Sequence, residues 1–318
     1  MSAPELSAAV AAPAAAPGAA AAWRNRIGAY VALTKPRIIE LLLVTTVPAM
    51  LLAARDAPGI SPGRFAWLLI ATLVAGTLAA GSANAINCYW DRDIDRVMSR
   101  TRRRPLPAQS VSPPVALAFG LVLGAVACLL LALLVNLLAA ALTALAIAIY
   151  VVVYTIWLKR TSVQNIVIGG AAGALPPMIG WAAVRDEVAL VPLILFLIVF
   201  LWTPPHFWAL SIRLQRDYRA AGVPMLPVVR GVEATNREIL RYAVVLVGVT
   251  LVLVPVASMG LVYTGSAILL GAWFLRETGT LWHVGTPARA IRVYRASITY
   301  LALLFAAIGV DALLIIRP

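Results

Sequence analysis

Apolar runs long enough to cross about 30 Å of hydrocarbon recur along this chain. Nine are found, at roughly 38–54, 65–89, 114–135, 137–157, 163–183, 188–211, 239–259, 261–276 and 297–316. Each predicts a helix, because backbone donors and acceptors must pair within the segment once water is excluded. The third and fourth runs form one block around Asn136, too long for a single crossing, which predicts a tight turn there. The fifth carries Pro176-Pro177 and is expected to break or kink at that pair.

The polar positions between the runs are unevenly shared. With nine crossings, connections alternate between the two sides of a membrane. One side then receives 22 of the 26 Lys and Arg residues and the other receives Arg55, Arg64, Arg185 and Arg317. Short loops rich in Lys and Arg stay cytoplasmic. The expected topology therefore has a cytoplasmic N-terminus and an external C-terminus. Residues 1–22 are nearly all Ala, Pro, Ser and Gly, and predict a disordered tail ahead of one membrane domain over 23–318. No basic segment precedes a leucine-rich core there, so a cleaved signal peptide is not expected.

Composition agrees with the pattern. Hydrophobic residues make up 62% of the chain, charged residues 12%, and mean hydropathy is +0.91, which excludes a soluble domain. The net charge of +13 follows from loop cations and gives no reason to expect a nucleic-acid partner. Two cysteines and two histidines are too few and too scattered for a zinc motif.

Charge placement alone does not explain the end of the second run. Asn87, Asp91 and Asp95 stand at i, i+4 and i+8, which puts them on one helix face with about 6 Å of rise between neighbours. Acidic residues contribute little to membrane orientation, and two carboxylates four residues apart repel unless a cation lies between them. Hard oxygen ligands in this spacing suit Mg²⁺, which keeps several waters and takes one or two carboxylates plus substrate phosphate oxygens. The arginines that follow, Arg100 among them, suit the phosphates themselves. The competing reading is a solvated helix end with ordinary surface ion pairs.

Further groups join this one on the same side. Lys159 and Arg160, with Gln164 and Asn165, combine two cations with amides able to hold phosphate; snorkelling is the rival reading for Lys159. Gly169, Gly170 and Gly173 are read as close helix packing. The word Trp202-Thr-Pro204-Pro205-His206-Phe207-Trp208 sets aromatic residues beside a histidine. It suits either a flat macrocycle, with His206 as axial ligand to iron, or an interfacial aromatic belt. Arg213 and Asp217 can pair with each other at i, i+4, or Asp217 can serve as a second Mg²⁺ ligand opposite Asp91. The Gly and Pro residues of 222–227 suggest a structured loop acting as a lid.

Taken together, these words resemble the UbiA superfamily of membrane prenyltransferases, and most nearly its branch of haem O synthases, which farnesylate protoheme IX. The resemblance rests on Asn87…Asp91…Asp95, on Leu33-Thr-Lys35-Pro36-Arg37 and on Met98-Ser-Arg100-Thr101. It rests also on Asn165 through Pro177, Thr203 through Trp208 and Asp217 through Pro227. It implies an all-α bundle of about nine transmembrane helices around a cytoplasm-facing cavity. It also implies transfer of farnesyl from farnesyl diphosphate to the 2-vinyl group of haem b, with water added, giving haem O. Asn87, Asp91, Asp95 and Asp217 would hold Mg²⁺, and Arg37 or Arg219 would meet the haem propionates. The partners implied are farnesyl diphosphate, haem b, the lipid bilayer, and a downstream haem O-processing enzyme or terminal oxidase. One departure matters: Arg213 stands where many superfamily members carry the first aspartate of a second Asp-x-x-x-Asp motif. The alternatives are a prenyltransferase with another acceptor, or a secondary transporter, which would place its ionisable groups at midplane.

Overall fold

The computed structural model describes residues 19–57 and 59–314, with side chains for 26–36, 44–57 and 59–314. Helices α1 (Ala19–Thr34), α2 (Pro36–Arg55) and α3 (Pro62–Trp90) lead into a short α4 (Arg92–Val97) and then α5 (Pro113–Leu134). Next, α6 (Leu137–Ala148), a π-helical stretch (Ile149–Leu158) and α7 (Lys159–Thr161) form one continuous rod. Helices α8 (Asn165–Arg185) and α9 (Leu190–Arg213) precede two short ones, α10 (Gln215–Ala220) and α11 (Leu226–Val229). Three long helices, α12 (Gly231–Val256), α13 (Leu261–Val284) and α14 (Pro287–Leu314), finish the chain. No strand occurs among the described residues. Of the 1–22 segment, residues 1–18 lie outside the described residues, and 19–22 open α1.

Each of the nine apolar runs falls on a helix. Seven described helices are long and apolar enough to cross a membrane. The remaining two, α2 with its shorter apolar stretch Val44–Arg55 and α13, are not among the seven. In α13 the apolar run predicted to 276 continues through Arg276 and Glu277 to Val284, so charge enters the helix.

Local chemistry sets the ends. Ser61 caps α3 through a bond from the Arg64 amide at 3.2 Å, with Pro62 at the first helical position. Asn136 is the predicted turn. Its Oδ1 accepts from the Ala139 amide at 2.8 Å, capping α6, and its Nδ2 donates to the Ala182 carbonyl at 2.7 Å, tying the turn to α8. Buried Asp311 of α14 accepts from the amides of Gly260 and Tyr263, so a carboxylate closes the positive N-terminus of α13.

The core lies where α9 packs on α8, α12 and α14, with α2 packed on α8 and α14. Helix α8 runs through Pro176-Pro177, so of the expected break or kink the break does not occur, and α9 runs through Pro204-Pro205. In α9 the Thr203 hydroxyl bonds the Val199 carbonyl at 2.8 Å. Gly169 and Gly170 behave as packing residues, whereas Gly173, expected to pack closely as well, has nothing within 4 Å of an added Cβ. An added Cβ on Gly170 would stand 2.8 Å from Thr203, and one on Gly180 would stand 2.8 Å from the Thr46 carbonyl oxygen.

Candidate active site

The acidic segment crosses a helix junction without losing its register. Helix α3 ends at Trp90 and α4 starts at Arg92, yet the Asp91 amide still bonds the Asn87 carbonyl at 2.9 Å, and the Asp95 amide the Asp91 carbonyl at 2.8 Å. The three polar side chains therefore share one face, and all three are buried, Asp91 completely.

Cations and one hydroxyl surround them. Lys159 donates to Asp91 Oδ2, and Asn87 Nδ2 donates to the same oxygen at 2.7 Å. Lys35, between α1 and α2, donates to Asn87 Oδ1 at 2.7 Å. Arg104 reaches both oxygens of Asp95, at 3.0 and 2.8 Å. Arg160 forms a fork with Asp93 through two contacts of 2.7 Å, and stands 3.8 Å from Asp91 Oδ1. Burial lowers the Lys35 ammonium to about 8, helped by Arg104 and Lys159 nearby, and Cys88 and Asp91 oppose this only in part. Asp93 is lowered too, to about 2, but here because Arg160 hydrogen-bonds its ionised form.

The π-helical stretch explains how α6 contributes. Its wider turn lets Thr155 Oγ1 bond the Tyr150 carbonyl five residues back at 2.8 Å while accepting from Asn87 Nδ2 at 3.0 Å. The same rod ends on Lys159, beside Asp91.

Two acceptor oxygens in this region lack donors: buried Asp91 Oδ1 and buried Asn165 Oδ1 have no hydrogen-bond partner. A buried carboxylate oxygen in that state is costly unless a cation reaches it, so the donor set around Asp91 fits a hard divalent ion. No group of three or more His, Cys, Asp or Glu side chains placed to hold a metal ion occurs among the described residues. An ion here would therefore draw on carboxamide, water or substrate oxygens as well.

The second group meets the first through a loop. Ser99 Oγ donates to Asp217 Oδ1 at 2.9 Å, so Asp217 on α10 faces the segment just after α4. Arg100 donates to the Tyr218 hydroxyl at 3.4 Å, and Arg213 lies exposed beside Arg100 in a shared cleft. Asn165 begins α8, its Nδ2 donating to the Ser162 carbonyl at 2.7 Å. His206 is elsewhere, buried in the α9 wall. Its Nδ1 is 2.8 Å from Ser297 Oγ, and its ring lies between Trp202 at 4.2 Å and Tyr294 at 4.8 Å. The Arg37 side chain lies outside the described residues.

Sequence reasoning did not single out Lys35, Arg104, Thr155 or Ser99 as site residues. Lys35 lies inside the word Leu33–Arg37 and Arg104 follows the word Met98–Thr101 by three residues, which is an available signal. Thr155 sits in an apolar run, and only the π-helical winding turns it toward Asn87.

The UbiA prenyltransferase family model matches residues 42–308. The chain belongs to the UbiA prenyltransferase family. Two relatives named protoheme IX farnesyltransferase match along most of their length. That of Frankia alni is 54% identical over 290 residues, 90% of this chain and 98% of its own. That of Clavibacter michiganensis is 53% identical over 289 residues, 90% and 92% respectively. Among solved structures, that of digeranylgeranylglyceryl phosphate synthase has a TM-score of 0.75 at 17% identity, covering 91% of this chain and 99% of its own. A UbiA homologue from Archaeoglobus fulgidus, bound to DMAPP and Mg²⁺, has 0.61 at 18%, with 88% and 99% covered. These structures share the UbiA fold. With the family established, the apolar helices make this UbiA protein an integral, multi-pass membrane protein.

Proposed function

We infer that this protein transfers the farnesyl group of farnesyl diphosphate to the 2-vinyl group of protoheme IX, with addition of water, giving haem O and diphosphate. The observation that carries the reading is the likeness over about 90% of the chain to relatives named for farnesyl transfer to protoheme IX. The geometry supports the chemistry. Membership of a prenyltransferase family gives the transporter alternative no support.

Asn87, Asp91 and Asp95 would hold Mg²⁺, with Asp217 approaching from α10. When bound, the ion would neutralise the diphosphate and stabilise the leaving oxygen. Lys35, Lys159, Arg104 and Arg160 ring the triad, and would exchange carboxylate or carboxamide partners for phosphate oxygens as substrate enters. Arg100 and Arg213 stand at the opening. These cations take up charge as the C–O bond breaks and diphosphate leaves with its electron pair, usually the largest catalytic contribution. The farnesyl cation is attacked by the vinyl π electrons, forming the new C–C bond. Water adds to the cation left on the haem substituent and loses a proton. No side-chain nucleophile is required. The apolar interior accommodates the farnesyl chain and keeps water from the cation until the C–C bond has formed. In this reading the N-terminus and the site face the cytoplasm of a bacterial inner membrane, following the loop cations.

The test is turnover by purified protein with haem b and farnesyl diphosphate, in Mg²⁺ or in EDTA, with pigments identified by mass spectrometry. A Mg²⁺-dependent haem carrying farnesyl plus water is the expected product. An unchanged haem, with farnesyl diphosphate still bound, would mean a different acceptor.

A further inference from the structure

Three arginines from three separate elements converge on one cleft of about 380 Å³: Arg100 from the loop after α4, Arg213 from the end of α9 and Arg295 from α14. None of the three has a carboxylate partner among the described residues. Membrane orientation calls for cations on this face, but not for their convergence on one cleft without a counter-charge, which repulsion opposes. The rest of the lining is aliphatic and aromatic: Leu210, Leu214, Ile291 and the Tyr294 ring. Tyr294 is backed by His206, which stacks on Trp202, so the aromatic word of α9 stiffens this wall from behind. A second cavity of about 610 Å³ between α13 and α14 shares Arg295 and adds Arg276, Arg289 and Arg292, the last paired with Glu277 at 4.0 Å. Sites for small molecules commonly measure 300–1,000 Å³.

An occupant must combine a flat apolar body with carboxylate or phosphate groups at one edge. The cleft adjoins the loop that carries Ser99 and Arg100 and the Arg213 end of α9, so it opens beside the acidic site. We propose that it seats the porphyrin acceptor by its carboxylates, with Arg295 the cation that selects for them. This rests on the reading of function given above. Arg295 touches the carboxylate edge and takes no part in bond making, so it governs acceptor binding and not the fate of the diphosphate.

The test uses the full chain in detergent with haem b and with haem b dimethyl ester, which keeps the vinyl group and the macrocycle but loses both negative charges. Wild type should favour the free acid by about tenfold in kcat/KM, the scale of one charge-assisted contact. Arg295→Ala should lose about tenfold on the acid and nothing on the ester, with KM for farnesyl diphosphate unchanged. Arg295→Lys should recover part of the loss. An equal loss on both acceptors would overturn the proposal and assign Arg295 to the fold or to lipid. A variant that still favours the acid as wild type does would place the carboxylates elsewhere. Wild type that farnesylates acid and ester equally would overturn the proposal alone. Wild type that farnesylates neither would overturn the functional reading and this proposal with it.

Discussion

Lys159 and buried Asp91 form a part-buried ion pair between the end of the α6–α7 rod and the end of α3, 68 residues apart in sequence. Neither side chain can be judged alone, because removing one partner leaves the other charged and buried. Asp91→Asn is expected to lower turnover by at least about a hundredfold, and also to lower stability by about 3 kcal/mol through the stranded lysine. The double variant Asp91→Asn with Lys159→Met should regain the melting temperature without regaining turnover. Recovery of activity in the double variant would leave Asp91 with a structural role only.

Asp217 and Ser99 make a clasp that a metal role must be separated from. If Asp217 also ligates the ion, Asp217→Asn should reduce turnover about 10–100-fold and raise the Mg²⁺ concentration for half-maximal rate. Ser99→Ala removes the clasp but leaves the carboxylate, and should change that concentration little. Matching effects from the two variants would reduce Asp217 to a loop anchor.

The close helix contacts make a stability prediction independent of function. Gly180→Ala would drive a Cβ to 2.8 Å from the Thr46 carbonyl oxygen, backbone that cannot step aside. It should cost about 1–3 kcal/mol, read as a lower melting temperature in detergent. Gly173 has nothing within 4 Å of an added Cβ, so Gly173→Ala should leave the melting temperature unchanged or slightly raised.

Lys35 supplies a pH signature. Its folded value of about 8 lies below its ordinary 10.5. Between those limits the unfolded chain holds a proton that the folded protein has released, so stability rises with pH across that window. The burden on the fold is complete below pH 8. Melting temperatures in EDTA at pH 8 and pH 10 should show the rise in wild type and a smaller one in Lys35→Met. An identical pH response in the two proteins would remove Lys35 as its source.

The sequence by itself determined the helical membrane class, the turn at Asn136 and the shared face of Asn87, Asp91 and Asp95. These depend on local rules: the length of an apolar run, the capping chemistry of one asparagine, and a four-residue spacing. Tertiary structure decided which cations meet that face. Lys35, Arg104 and Lys159 come from different elements, and helix packing, which no local spacing encodes, brings them together. It also decided that His206 is locked between Trp202 and Tyr294, with Ser297 at its Nδ1. The sequence had left that ring free for either a macrocycle or an interface.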